Sequence, residues 1–264
     1  MADRANDPGL FEGTAEYYAR FRGSYPSAFI NLVAHCCRLD RNGRLLDLGC
    51  GPGLLAIPFA RWAREVVGLD PEPEMLSAAA ASAKEAEVFN IRFVRGSSRE
   101  LGPHLGHFRL VTIGRAFHWM DRAATLASLH DLVIPGGAVA IIGEERDQDP
   151  KSWRSIIREV TDRRGDPKNE GTLEHERPGY VSHDQILARS AFRGPDYLRW
   201  PSARSWTVEE IIGYIRSTST GALRKRAGTT EAFEAEARRA LAEAEPSGRF
   251  IERYRFSAKI GWRD

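Results

Sequence analysis

At 264 residues, 42% apolar and 28% charged, the chain has the composition of a folded globular protein and falls outside the disordered and collagen-like classes. Its 38 basic side chains against 36 acidic ones leave a formal charge of +2, too balanced for the basic face of a nucleic-acid groove. No stretch approaches a membrane span, the start MADRANDPGL lacks a leader's apolar segment, and three cysteines build neither a disulfide framework nor a zinc spacing, so a cytoplasmic protein is expected.

Phe29, Ile30, Val33 and Cys37 recur at helical spacing and predict a helix ended by Gly43. A short strand over 44–48 follows, then a helix over 53–63 and a second strand over 66–69. After Pro71 an alanine-rich helix places Met75, Leu76, Ala79, Ala80 and Ala83 on one face. Residues 91–94 and 108–113 give two more strands. Asp121 caps a helix with Leu126, Leu129 and Val133 inward, Pro135-Gly136-Gly137 stops it, and 138–142 is a fifth strand. Buried runs separated by helices predict a doubly wound parallel sheet covered on both faces.

The second half changes character. Residues 147 to about 190 are polar, apart from an amphipathic piece (Trp153, Ile156, Ile157, Val160) and a loop rich in Gly, Glu, His and Pro, and read as an insertion above the sheet. Thr207 and Glu210 form a capping box for a helix that buries Ile211, Ile212 and Ile215. The densest basic cluster, Arg224-Lys225-Arg226, reads as a solvated helix end. Another helix carries Phe233, Ala237, Leu241 and Ala244. Phe250, Tyr254, Phe256, Ala258, Ile260 and Trp262 then fall on one face of a period-two strand, antiparallel, near the sheet edge, with its partner around 197–200. The expected organisation is a lid and first helix over 1–43, a core over 44–145, a cap over 146–248 with a sixth strand near 193–200, and a last strand over 249–264.

The most informative segment is LLDLGCGPG, residues 45–53. Gly49, Gly51 and Gly53 let the backbone turn sharply and let a ligand approach without meeting a Cβ, while the helix beyond offers unpaired N–H groups. A dinucleotide site wants G-x-G-x-x-G with a pyrophosphate on the helix N-terminus. Here the spacing is G-x-G-x-G, Leu54 stands where the usual third glycine would be, and the acid Asp47 lies in the approach. A carboxylate repels a pyrophosphate and attracts the ammonium of an amino-acid tail. Asp70, ending the second strand, suits both ribose hydroxyls whichever cofactor binds, or else caps the following helix.

LLDLGCGPG, VVGLDPEPEML and FRLVTIGRAFHWMD together resemble the class I S-adenosylmethionine (SAM)-dependent methyltransferases. More narrowly they resemble the bacterial type-11 group of trans-aconitate and ubiquinone/menaquinone methyltransferase-like enzymes. The resemblance implies an α/β fold with a doubly wound, mostly parallel seven-stranded sheet, an antiparallel last strand and a helical insertion or lid. It also implies SAM as cofactor, no metal, a small-molecule acceptor methylated on O, N or C by in-line displacement, no nucleic-acid or membrane partner, and a monomer or homodimer.

Carried over by motif, Asp47, Gly49, Cys50 and Gly51 would surround the amino-acid part of SAM, Asp70 the ribose, and Met75, Ser97 and Ser98 the adenine, with Arg115 beside them. Ser97-Ser98 stands where many relatives carry an acid. The lead-in Tyr17-Tyr18-Ala19-Arg20-Phe21-Arg22 would fold over the cofactor, with Arg22 or Arg20 near its carboxylate and a tyrosine such as Tyr18 near the methyl group, the alternative being a surface amphipathic helix. His118 is a candidate general base or a hydrogen-bonded structural residue. Glu144, ending the fifth strand, is a second catalytic candidate, and His183 a weaker one. Phe117, Trp119 and Tyr25 are candidates to touch the acceptor, with core packing the alternative for the first two. The rival readings are an RNA or protein methyltransferase, a SAM-binding protein without transfer, and a nicotinamide dehydrogenase.

Overall fold

The computed structural model describes Phe21 and residues 23–146, 149–166 and 179–264. Strands β1 (Arg44–Leu48), β2 (Glu65–Asp70), β3 (Ile91–Arg95), β4 (Phe108–Gly114), β5 (Val133–Arg146), β6 (Arg193–Thr207) and β7 (Arg249–Trp262) form one sheet in the order β3-β2-β1-β4-β5-β7-β6. β1 to β5 are parallel to one another, whereas β7 runs antiparallel to both β5 and β6. The expected class, α/β with an antiparallel last strand, is the one observed. β7 lies one place in from the edge, and its partner β6 is the edge strand, continuing seven residues beyond the expected stretch to Thr207.

Helices α1 (Ser27–Cys36) and α2 (Ala56–Phe59) cover one face, where Phe29, Ile30, Val33 and Phe59 meet Leu45, Val66 and Leu110. α3 (Pro73–Glu85) packs beside them on β2 and β3. α4 (Arg122–Leu132) and α6 (His183–Ala188) cover the other face over Leu46, Val67, Val111 and Val139, and Asp121 caps α4 by accepting from the Ala124 amide. Burial on both faces explains why β1, β2 and β4 are nearly continuous apolar runs instead of alternating ones.

Helices α5 (Trp153–Arg164), α7 (Val208–Arg216) and α9 (Thr230–Ala244) build a separate core around Trp153, Ile211, Ile212, Phe233 and Leu241, and α8 (Ser219–Ala227) packs beside α7 and α9. The alternation along β7 serves both cores: Phe256, Ala258 and Ile260 pack under the sheet, while Phe250 and its register partner Trp206 reach into the cap. At that junction buried Glu252 accepts from Arg146, Arg154 and Trp206 Nε1.

Four local expectations are corrected. α1 ends at Cys36, not at Gly43, because Arg38 adopts a left-handed φ of 51° and the Leu39 amide bonds back to the Ala34 carbonyl. The helix expected over 53–63 is only α2 plus a 3₁₀ turn, Ala60–Trp62. Pro135-Gly136-Gly137 does not separate α4 from the fifth strand; it is an irregularity inside β5, between the Phe108–Val133 and Leu110–Ala138 pairs. Arg224 is no solvated helix end: it is 2% exposed, bonded to Asp166 and Thr161, with its guanidinium 3.6 Å from the Phe233 ring centroid.

Candidate functional site

β1 and β4 are neighbours, and the chain leaves their carboxyl ends for opposite flanks of the sheet. Ligands of open α/β sheets bind at such a switch point. A cleft opens there, lined by Tyr25, Asp47, Gly49, Cys50, Leu54, Leu55 and Gly114. Leu54, Leu55 and Gly114 were not foreseen as lining; their only signal in the sequence is that they directly follow the glycine motif and the fourth strand.

The loop after β1 is anchored to β2, since the Gly49 and Cys50 amides both donate to the Leu69 carbonyl, at 2.8 and 3.1 Å. Gly49 has φ 71°, and a Cβ there would lie 2.5 Å from the Cβ of Ala116, so its glycine is demanded by backbone and packing together. Gly51 has φ 51°, yet nothing lies within 4 Å of the place a Cβ would take. At that glycine the backbone faces open space.

Two acids flank the loop. Asp47 is 1% exposed, with Oδ1 accepting from Thr112 Oγ1 at 2.8 Å and Oδ2 from the Ala56 amide at 3.0 Å. Burial nevertheless pushes its carboxyl up to about 7. Asp70 accepts from the Gly51 amide at 2.8 Å and from the Glu72 amide at 3.0 Å, which ties the glycine loop to the end of β2. Burial raises its carboxyl too. Desolvation beside these acids also holds the Cys50 thiol protonated, well above its ordinary range.

Met75 is buried on α3. Ser97 caps a 3₁₀ turn, Ser98–Glu100; its hydroxyl accepts from the Arg99 amide while Glu100 accepts from the Ser97 amide. That turn takes up the Glu100 carboxylate and leaves the serines at the position after β3 where an acid was expected to be lacking.

Arg115 follows β4 with a left-handed φ of 56°, pairs with Glu144, and lies 5.1 Å from the Tyr25 ring centroid. Glu144 also pairs with Arg146. The two guanidiniums overcome the burial of Glu144 and hold its carboxyl down at about 2. A carboxylate so held is a poor proton acceptor, and the two ion pairs make Glu144 a clamp on Arg115.

The 3₁₀ turn Phe117–Trp119 carries the aromatic motif. His118 and Trp119 are half-buried with rings 4.9 Å apart. Phe117 points the other way. It is 1% exposed within the core under α4, edge-on to His183 at 5.1 Å, so its candidacy for acceptor contact gives way to core packing. His183 is kept neutral, lowered to about 4 first by burial and then by Arg122 and Lys259. Tyr25 stacks on Phe29, lies tilted against Phe256 and still lines the cleft. Tyr18 and Arg22 lie outside the described residues, as do residues 167–178 of the segment in which the Gly/Glu/His/Pro loop was expected. Among the described residues, no helix is long and apolar enough to cross a membrane.

Residues 45–137 match a family model described as a methyltransferase domain. An uncharacterised methyltransferase of Mycobacterium tuberculosis is 30% identical over 151 residues, 57% of this chain and 58% of that protein. A ubiquinone biosynthesis O-methyltransferase of Sodalis glossinidius is 31% identical over 159 residues, 58% of this chain and 63% of that protein. The chain therefore spans less than two thirds of the length of these curated relatives. Among solved structures, the YcgJ protein of Bacillus subtilis aligns with a TM-score of 0.57 at 18% identity, covering 90% of this chain and all of its own (100%). A SAM-dependent methyltransferase of Thiobacillus denitrificans, in complex with S-adenosyl-L-homocysteine, aligns at 0.53 and 17% identity, covering 95% of this chain and 97% of its own.

Proposed function

We propose that the chain, whose residues 45–137 match a methyltransferase-domain model, binds SAM in the cleft between β1 and β4 and methylates a small-molecule acceptor. The observation that carries this reading is a buried acid, Asp47, in the lining of the cleft together with Gly49 and Cys50, and an open backbone at Gly51, the next residue of the same loop. The donor set suits the cofactor, since an ammonium tail gains from Asp47 and a diphosphate would be repelled by it. SAM supplies a methyl group on a positively charged sulfur, released by in-line displacement.

The remaining tasks fall to this chain's residues. Gly49, Cys50 and Gly51 give backbone access to the amino-acid tail. Asp70 keeps lone pairs beyond those bonded to Gly51 and Glu72, enough to accept from ribose hydroxyls. Met75, Ser97 and Ser98 border the adenine side. Arg115, held by Glu144, stands beside Tyr25 of the cleft lining. Trp119 and Tyr25 hold the acceptor, and His118 takes its proton where the acceptor has one to lose. The name of the Sodalis relative favours an oxygen acceptor. The cap helices α5, α7, α8 and α9 roof the acceptor and exclude water.

Calorimetry with S-adenosylhomocysteine, followed by labelled SAM with fractionated metabolite extracts, tests the reading. Micromolar uptake of the nucleoside and label in a small product support it; uptake of a nicotinamide dinucleotide in its place would overturn it.

A further inference from the structure

β4 is apolar along its buried middle except at Thr112, which is 0% exposed between Val111 and Ile113. A valine has the same shape and no hydroxyl to satisfy, so a buried threonine in such a strand calls for a bonding partner. Thr112 is the register partner of Asp47 on β1, so the two side chains stand on the same face of the sheet. Its hydroxyl has one proton, and the Asp47 carboxylate at 2.8 Å is a far better acceptor than the Leu46 carbonyl at 3.5 Å.

We infer that Thr112 is a positioning residue whose hydroxyl favours the ionised form of Asp47 and fixes its carboxylate in the cleft lining, where it can take a cationic amino-acid tail. The inference rests on the proposed uptake of SAM. The ionisable groups that bear on Asp47 are Asp70, from the end of β2, and Cys50, from the glycine loop. One is an acid and the other a thiol, so neither supplies positive charge. β4 offers Thr112, the segment entering α2 offers the Ala56 amide, and these two donors oppose desolvation. With both in place the carboxyl still titrates near neutrality, at about 7, so losing one moves the titration upward through the working range.

The experiment is S-adenosylhomocysteine calorimetry from pH 6 to 8.5 on the wild type, Thr112→Val and Thr112→Ser. If removing the donor raises the Asp47 titration by about one unit and only the ionised form binds, Thr112→Val weakens affinity about ninefold at pH 6 and only about 1.3-fold at pH 8.5. Thr112→Ser keeps the hydroxyl and stays within about twofold of wild type throughout. Thr112→Ala provides the same comparison if the valine variant does not fold. A ratio of variant to wild-type affinity that is flat with pH, as a packing defect would give, overturns the role of Thr112 while leaving SAM binding intact. Absence of uptake by the wild type at every pH overturns the proposed activity itself, and this inference with it.

Discussion

A carboxyl group bonded through both oxygens yet sealed from water sets hydrogen bonding against desolvation, and at Asp47 desolvation dominates. Its titration near 7 means that, between about pH 4 and 7, the cofactor-free folded protein keeps a proton that the unfolded chain has lost. Stability contributed by Asp47 therefore falls as pH rises through that window. Asp47→Asn retains one acceptor and removes the charge, and the Thr112 hydroxyl can turn to accept from the new amide. Melting curves without cofactor should show the variant gaining on wild type as pH climbs from 5 to 8, while its affinity for S-adenosylhomocysteine drops at least tenfold at pH 8, the order expected for losing a charge-assisted contact. His118→Ala should leave that affinity within about twofold and lower turnover by about a hundredfold or more if the imidazole is the base; equal losses in both would exclude that role. At this scale the sequence made the motif residues legible because their spacing reports backbone geometry. It did not reveal that Glu144 is clamped or that Phe117 turns inward, because both depend on partners distant in the chain, Arg146 with Arg115 in one case and His183 in the other.

Loops and helices show the same division. The β1 loop was readable because glycine at a left-handed φ has few substitutes. Gly51→Ala meets no steric neighbour, so its cost to the fold is about 1–2 kcal/mol of backbone strain. The added methyl group, though, projects into the space proposed for the cofactor. Thermal melts should move by only a few degrees while binding is lost below detection. The end of α1 was not readable, since Arg38 takes a conformation usually marked by glycine, and the tight 3₁₀ continuation of α2 has no distinct hydrophobic period. The basic run in α8 misled because charge patterning alone cannot see Asp166. Arg224 shares that buried acid with Arg164, so Arg224→Met, similar in length but uncharged, should lower unfolding stability by about 1–3 kcal/mol through the lost hydrogen bonds to Asp166 and Thr161, read as a drop in urea midpoint.

Over the whole molecule, the first five strands could be counted from apolar runs, and the motifs placed them in the right kind of sheet. The position of β7 between β5 and the edge strand β6 lies beyond what local patterning encodes, because alternation identifies a half-covered strand without naming its neighbours. Central strands β1 and β4, covered on both sides, should exchange backbone amides most slowly, and the cap helices α7 and α8 markedly faster. Deuterium uptake followed by mass spectrometry would show this; uniform rates would mean that cap and sheet unfold as one unit.

β5 and β7 are paired where the chain departs for the cap and where it comes back, with Arg146 opposite Tyr254. The two ends of the excursion thus stay fixed side by side whatever lies between them. β6 and β7 are likewise paired, Thr207 opposite Arg249, where helices α7 to α9 leave and rejoin the sheet, so those helices can be exchanged in evolution or by grafting while the sheet beneath them is inherited unchanged.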